Sequence, residues 1–167
     1  MPPKPTDTAG KVLSPAAARA WRRRRRRVVF TNGVFDILHA GHVSLLERSR
    51  ALGDFLVVGV NSDASVGRLG KGPERPINPL KDRQRVLAAL ACVDAVTSFG
   101  EDTPEKLLAL LKPDIMVKGA DYRPEQVAGR LHAGKLVLLP LVAGRSPPAV
   151  VKKLRSWDPP DSSSTAP

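Results

Sequence analysis

Short apolar runs recur along this chain, and each ends in a polar or glycine-bearing turn. Residues 28–30, 55–60, 94–99, 114–117 and 136–139 are rich in Val, Leu, Ile and Phe and have strand length. Segments with helical spacing lie between them, at 43–52, 79–91 and 104–111. Ser14-Pro15 supplies an N-cap and a first helical residue, so a helix starts there and runs through Trp21 into an arginine run. Gly53 is a stop signal after the second helix. Asn61-Ser62-Asp63 reads as a polar turn, residues 66–72 as the start of a Gly/Lys/Pro loop, and 149–154 as a last helix. Alternating strands and helices predict an α/β domain with a parallel, doubly wound sheet. The domain is expected to span 14–155, with disordered ends at 1–13 and 156–167, where Pro and small polar residues predominate.

The first strand runs into Thr31-Asn32-Gly33-Val34-Phe35-Asp36-Ile37-Leu38-His39-Ala40-Gly41-His42, which opens the second helix. A helix N-terminus presents unpaired N–H groups and partial positive charge, which suits phosphate. Gly41 lets a phosphate approach the backbone, and Gly33 permits a tight turn. Asp36 is placed to fix that turn through its side chain. His39 and His42 are three apart and share a face of the first turn. Two imidazoles there donate to phosphoryl oxygens, where negative charge grows in the transition state. The pair also fits half of a zinc site, but zinc takes three or four ligands. Cys92 and His132 lie in other segments, so no metal ligand is assigned. Lys71, flanked by Gly70 and Gly72, is a flexible cation suited to a triphosphate or sugar phosphate.

Composition narrows the classes. The 167 residues are 42% hydrophobic and 26% charged, ordinary for one globular domain. A single cysteine excludes an internal disulfide and fits a reducing cytoplasm. The longest apolar stretch, 136–143, is broken by Pro140 and is too short to enter a membrane as a span. Arg22 to Arg27 hold six of the 27 basic residues, and without them the net charge falls from +11 to +5. That run attracts polyanions nonspecifically, but Trp21 is its only aromatic neighbour, so specific nucleic-acid recognition has little support. The competing reading is a solvated basic helix end. No Gly-x-Gly-x-x-Gly fingerprint occurs, which argues against hydride transfer with a dinucleotide.

The segment Gly33 to His42 resembles the signature of the cytidylyltransferase-like nucleotidyltransferases, a Rossmann-like single-domain fold with a His-x-Gly-His motif. The wider string is similar to the heptose 1-phosphate adenylyltransferases, which make ADP-heptose for bacterial lipopolysaccharide. That likeness is carried by Val60 to Ser65, Lys71 to Asn78, Glu101 to Pro104 and Val117 to Tyr122, and it runs from Val28 to Leu154. It implies a magnesium-dependent transfer of AMP from ATP to a sugar 1-phosphate, with the ion held mainly by substrate phosphates. His39, His42, Lys71 and Arg83 are the implied catalytic residues. Thr31, Asn32, Gly33, Phe35, Asp36, Gly41, Lys118, Gly119, Asp121 and Ser146 are the implied nucleotide contacts. Rival readings are a cytidylyltransferase acting on glycerol 3-phosphate or a similar alcohol phosphate, and a noncatalytic nucleotide or polyanion binder. A homo-oligomer is compatible with the family. The sugar kinase fused to this activity in many bacteria does not fit in 167 residues, so the resemblance implies a separate kinase and phosphatase.

Four features depart from the family pattern. The connection into the first strand and the stretch from 123 to 135 are short. Ala120 stands where a second glycine is usual. Pro147-Pro148 replace a Thr-Thr pair at the last helix, removing two hydroxyls and two backbone donors.

Overall fold

The computed structural model describes residues 7–70, 75–120 and 122–140. Five strands form one parallel sheet: β1 (Val28–Gly33), β2 (Phe55–Asn61), β3 (Ala95–Phe99), β4 (Ile115–Gly119) and β5 (Lys135–Leu139). Their order is β3-β2-β1-β4-β5. The helices are α1 (Pro15–Arg23), α2 (Ala40–Arg50), α3 (Asp63–Arg68), α4 (Leu80–Ala89) and α5 (Glu105–Leu111). The doubly wound architecture is therefore the one the alternation predicts.

Near-continuous apolar strands mark a sheet covered on both faces. Side chains alternate across the pleat, so β1 feeds two cores. Val28 and Phe30 pack with Val57 and Met116 against Ala18 of α1 and Leu107, Leu108 and Leu111 of α5. Val29 packs with Leu56, Val58 and Val117 against Leu46 of α2 and Leu87 and Ala88 of α4. Two aspartates close the amino edge of the sheet. Asp114 accepts from Val28 N at 2.7 Å and pairs with Arg22 at 2.9 Å. Asp94 accepts from Leu56 N at 2.8 Å and pairs with Arg50 at 3.0 Å.

Several sequence expectations need correction. The packed body begins before Ser14: Val12 bridges Val96 of edge strand β3, Leu13 N donates to Val96 O, and Lys11 Nζ reaches Leu90 O and Val93 O. Val12 and Leu13 thereby satisfy part of an edge that would otherwise be open. The polar turn after β2 is instead the head of α3, because Ser62 Oγ accepts from Ser65 N. The basic run is only partly a solvated helix end. Arg22 caps carbonyls of Arg25 and Lys112, and the Arg25 guanidinium stacks 4.1 Å over Trp21. With Arg27 at φ 48°, these bonds turn the chain from α1 into β1. Gly53 serves by close approach rather than by a left-handed conformation: a Cβ there would lie 2.2 Å from Arg27 O. The last predicted helix and the C-terminal tail lie outside the described residues.

Candidate active site

From β1 the chain winds through β2 to β3 on one side, and β4 and β5 lie on the other. The reversal falls between β1 and β4, and open α/β sheets bind ligands at the carboxyl ends of strands there. The ends that meet are Thr31–Gly33 and Lys118-Gly119, both picked out from the sequence. Val34 to Leu38 link β1 to α2, and Phe35 adopts φ 49°, an uncommon conformation for a bulky residue. Its buried ring lies under Gly33, where a Cβ would come within 3.1 Å of Cε2. It also meets the His42 ring edge-on at 5.2 Å. A side chain at Gly33 would press on this ring, which would have to give by a few tenths of an ångström.

His39 is the N-cap of α2, and its Nδ1 accepts from Gly41 N at 3.1 Å. An accepting Nδ1 puts the proton of the neutral ring on Nε2, so His39 presents a donor on its far side. The His39 and His42 rings stack at 3.8 Å and 25°. His39 lies just before the helix with extended backbone, so the rings meet through its N-cap position and not through a shared helical face. The Gly41 N–H is engaged by His39.

The remaining predicted residues divide by how their polar atoms are spent. Thr31 is buried, and its hydroxyl donates to Val117 O at 3.2 Å, so it ties β1 to β4 instead of facing a nucleotide. Asn32 Oδ1 is buried with no hydrogen-bond partner among the described residues, an acceptor left over at the crevice floor. The half-buried Lys118 places Nζ 5.3 Å from the Tyr122 ring centroid, and Gly119 is buried at the end of β4. Lys71, Asp121 and Ser146 lie outside the described residues.

Asp36 holds a different segment from the one expected. Its carboxylate accepts from Ile77 N at 2.9 Å and Asn78 N at 2.8 Å, and pairs with Arg75 at 2.6 Å. Asn78 Nδ2 returns a bond to Asp36 O. Burial alone would raise the carboxyl pKa, but the two backbone donors and the Arg75 guanidinium together outweigh it and hold it below the usual carboxylate value.

Arg83 is the clearest departure. Its side chain is 0% exposed, and all three nitrogens are engaged. Nε donates to Asn78 O at 3.0 Å, Nη1 to Val34 O at 2.6 Å, and Nη2 to Asn61 O at 2.8 Å and Asp63 Oδ1 at 2.7 Å. In this arrangement the guanidinium is spent on protein groups and faces no open phosphate site.

Residues 30–134 match the model of the cytidylyltransferase-like family. The chain belongs to that family. Membership makes it a nucleotidyltransferase, the enzyme class its signature loop resembles. The bifunctional protein HldE of Gluconacetobacter diazotrophicus is 54% identical over 140 residues, covering 81% of this chain and 29% of that protein. HldE of Klebsiella pneumoniae is 53% identical over 143 residues, covering 83% of this chain and 30% of its own length. The cytidylyltransferase-like chain thus spans under a third of these curated relatives. Among solved structures, a lipopolysaccharide core biosynthesis protein from Thermoplasma volcanium aligns with TM-score 0.62 and 31% identity, covering 69% of this chain and 97% of that one. A pantoate–beta-alanine ligase from Francisella tularensis shares the fold at TM-score 0.58 and 18% identity, covering 81% of this chain and 68% of its own.

Arg75, Asp63 and Asn78 complete the surroundings of this nucleotidyltransferase's signature loop; the sequence placed them in matching strings without assigning them a role there. Arg75 and Asn78 are separated from Asp36 by 39 and 42 positions, so no local period reveals the contacts. The available signal was chemical: Asp36 is an acid inside an otherwise apolar stretch and needs donors from somewhere. Among the described residues no helix is long and apolar enough to cross a membrane. Nor does any group of three or more His, Cys, Asp or Glu among them converge as a metal site.

Proposed function

We propose that this nucleotidyltransferase transfers AMP from ATP to heptose 1-phosphate, giving ADP-heptose and pyrophosphate for a lipopolysaccharide core precursor. A phosphate oxygen of the sugar 1-phosphate attacks the α-phosphorus of ATP in line. The bond from that phosphorus to the bridging oxygen breaks, and pyrophosphate leaves with the electron pair. Such transfers depend on positioning and electrostatics, with no protein nucleophile. The observation that carries the reading is the stacked His39–His42 pair at the head of α2, beside the point where the strand order reverses. Nε2 of His39 supplies a fixed donor to the α-phosphate, and His42 acts on the same charge. Magnesium would come with the nucleotide, held mainly by phosphate oxygens and water. Lys118 and Gly119 would meet the base and ribose, together with Asp121. Lys71 and Ser146 would meet the phosphates. The bifunctional HldE relatives, and the likeness to the Thermoplasma lipopolysaccharide core biosynthesis protein, support the choice of acceptor.

Pyrophosphate release tests this with magnesium, ATP or CTP, and D-glycero-β-D-manno-heptose 1-phosphate or glycerol 3-phosphate. Turnover is expected for ATP with the heptose. Turnover only with CTP and glycerol 3-phosphate would move the protein to the cytidylyltransferase reading. Nucleotide binding without turnover on either acceptor would favour a noncatalytic binder.

A further inference from the structure

We infer that Arg83 is a positioning residue, which sets the histidine-bearing loop by holding its backbone from beneath. This rests on the proposed reaction for one of its readouts and is independent of it for the other. The guanidinium joins three parts of the chain: the signature loop through Val34 O, the junction of β2 and α3 through Asn61 O and Asp63, and the entry to its own helix α4 through Asn78 O. A planar fork of five N–H donors can meet acceptors in these several directions, and an ammonium cannot reproduce that geometry.

Two further contacts close the network. Asp63 Oδ2 accepts from Leu80 N at 3.2 Å, so the acid that pairs with Arg83 also meets the first residue of α4. Asp36, two residues beyond Val34, grips Arg75, Ile77 and Asn78. Val34 and Asp36 are thus both fastened, and Phe35 between them is the residue held at φ 49°. The ring of Phe35 in turn packs against His42. Arg83 therefore reaches the imidazoles through one backbone carbonyl and one aromatic ring, without touching substrate. The Asp63–Arg83 and Asp36–Arg75 pairs also fasten residues 63 and 75 to the rest of the fold.

The full chain is tested with Arg83→Lys, which keeps charge and loses the fork, and with Asp63→Asn, which weakens one arm. Arg85→Lys, on the exposed face of α4, is the control. Turnover with ATP and heptose 1-phosphate is measured beside nucleotide KM and the imidazole NMR signals of His39 and His42. For Arg83→Lys, kcat is expected to fall about 10²-fold, the scale of a 1 Å misplacement, with nucleotide KM little changed and both imidazole signals displaced. Asp63→Asn should move the same signals less, and Arg85→Lys should move none. A raised nucleotide KM at unchanged kcat would make Arg83 a direct phosphate contact and overturn the inference. Unmoved imidazole signals in a folded Arg83→Lys protein would overturn it as well. If Arg83→Lys does not fold, Asp63→Asn decides: displaced imidazoles support positioning, and unmoved ones reduce Arg83 to fold maintenance. Without turnover in the wild type the proposed reaction fails, and the imidazole signals still judge this inference.

Discussion

His39 caps α2 with its own ring, so a substitution there removes a helix cap and a donor together. The two losses separate by choice of side chain. His39→Ala should cost about 1 kcal/mol of stability, the usual effect of deleting an N-cap. Removing one aimed donor should lower turnover about 10²–10³-fold. His39→Asn restores a good cap and should recover the stability without the turnover. Urea unfolding and pyrophosphate release, run on both variants, check this. Asp36 carries a second residue-scale prediction. Its folded pKa is lowered, so its stabilisation is complete above the unfolded Asp value of about 3.9 and fades as pH falls through the lower folded value. Wild type should therefore lose stability on acidification below about pH 4, and Asp36→Asn should show less of that acid dependence. At neutral pH the same variant should be less stable by about 1–3 kcal/mol, since a buried set of donors loses its charged acceptor. Urea midpoints between neutral and acidic pH measure both effects.

At the scale of elements, the joints rather than the helices and strands distinguish this chain. α1 enters through Ser14, whose Oγ accepts from Ala17 N, and leaves through arginines that satisfy carbonyls at the turn into β1. α2 passes into β2 over Gly53, pressed against the Arg27 carbonyl. Gly53→Ala should therefore destabilise by about 1–3 kcal/mol, as overpacking does, because a backbone oxygen cannot rotate away as a side chain can. A lowered thermal midpoint with unchanged nucleotide KM is the expected signature. The amino edge of the sheet repeats one device, with Asp94 and Asp114 each pairing with an arginine and accepting from one amide near the start of a neighbouring strand. Val12 and Leu13 cover part of the β3 edge through backbone contacts at Val96. Deleting residues 1–13 should lower the urea midpoint and promote self-association at the uncovered strand. Sedimentation of the truncated chain tests that expectation.

For the whole molecule, ligand linkage gives the broadest prediction. A nucleotide that binds only the folded state should raise stability by about 2.7 kcal/mol at a hundredfold excess over its Kd, and ATP with magnesium should shift the thermal midpoint more than CTP does. How much of this molecule was legible in the sequence follows from the range of each interaction. Strand and helix order was readable because burial on both faces of a sheet imposes local patterns, and Val28 to Phe30 or Phe55 to Val60 show them directly. The His39–His42 pair was readable as a spacing beside a helix start, while the contact between its rings depends on the extended N-cap conformation of His39. What each polar group does was not readable at that range. Thr31 turns toward Val117, Asp36 takes the donors of the 75–78 segment, and Arg83 is consumed by acceptors at Val34, Asn61, Asp63 and Asn78. These partners are decided by which strands become neighbours, and a buried charge takes whichever acceptors the completed fold brings to it. Thus the sequence by itself determined the alternating elements, their doubly wound class and the histidine-bearing turn. Only the tertiary structure decided that Arg83 and Asp36 hold that turn in place, because their partners come within reach once the sheet order is set.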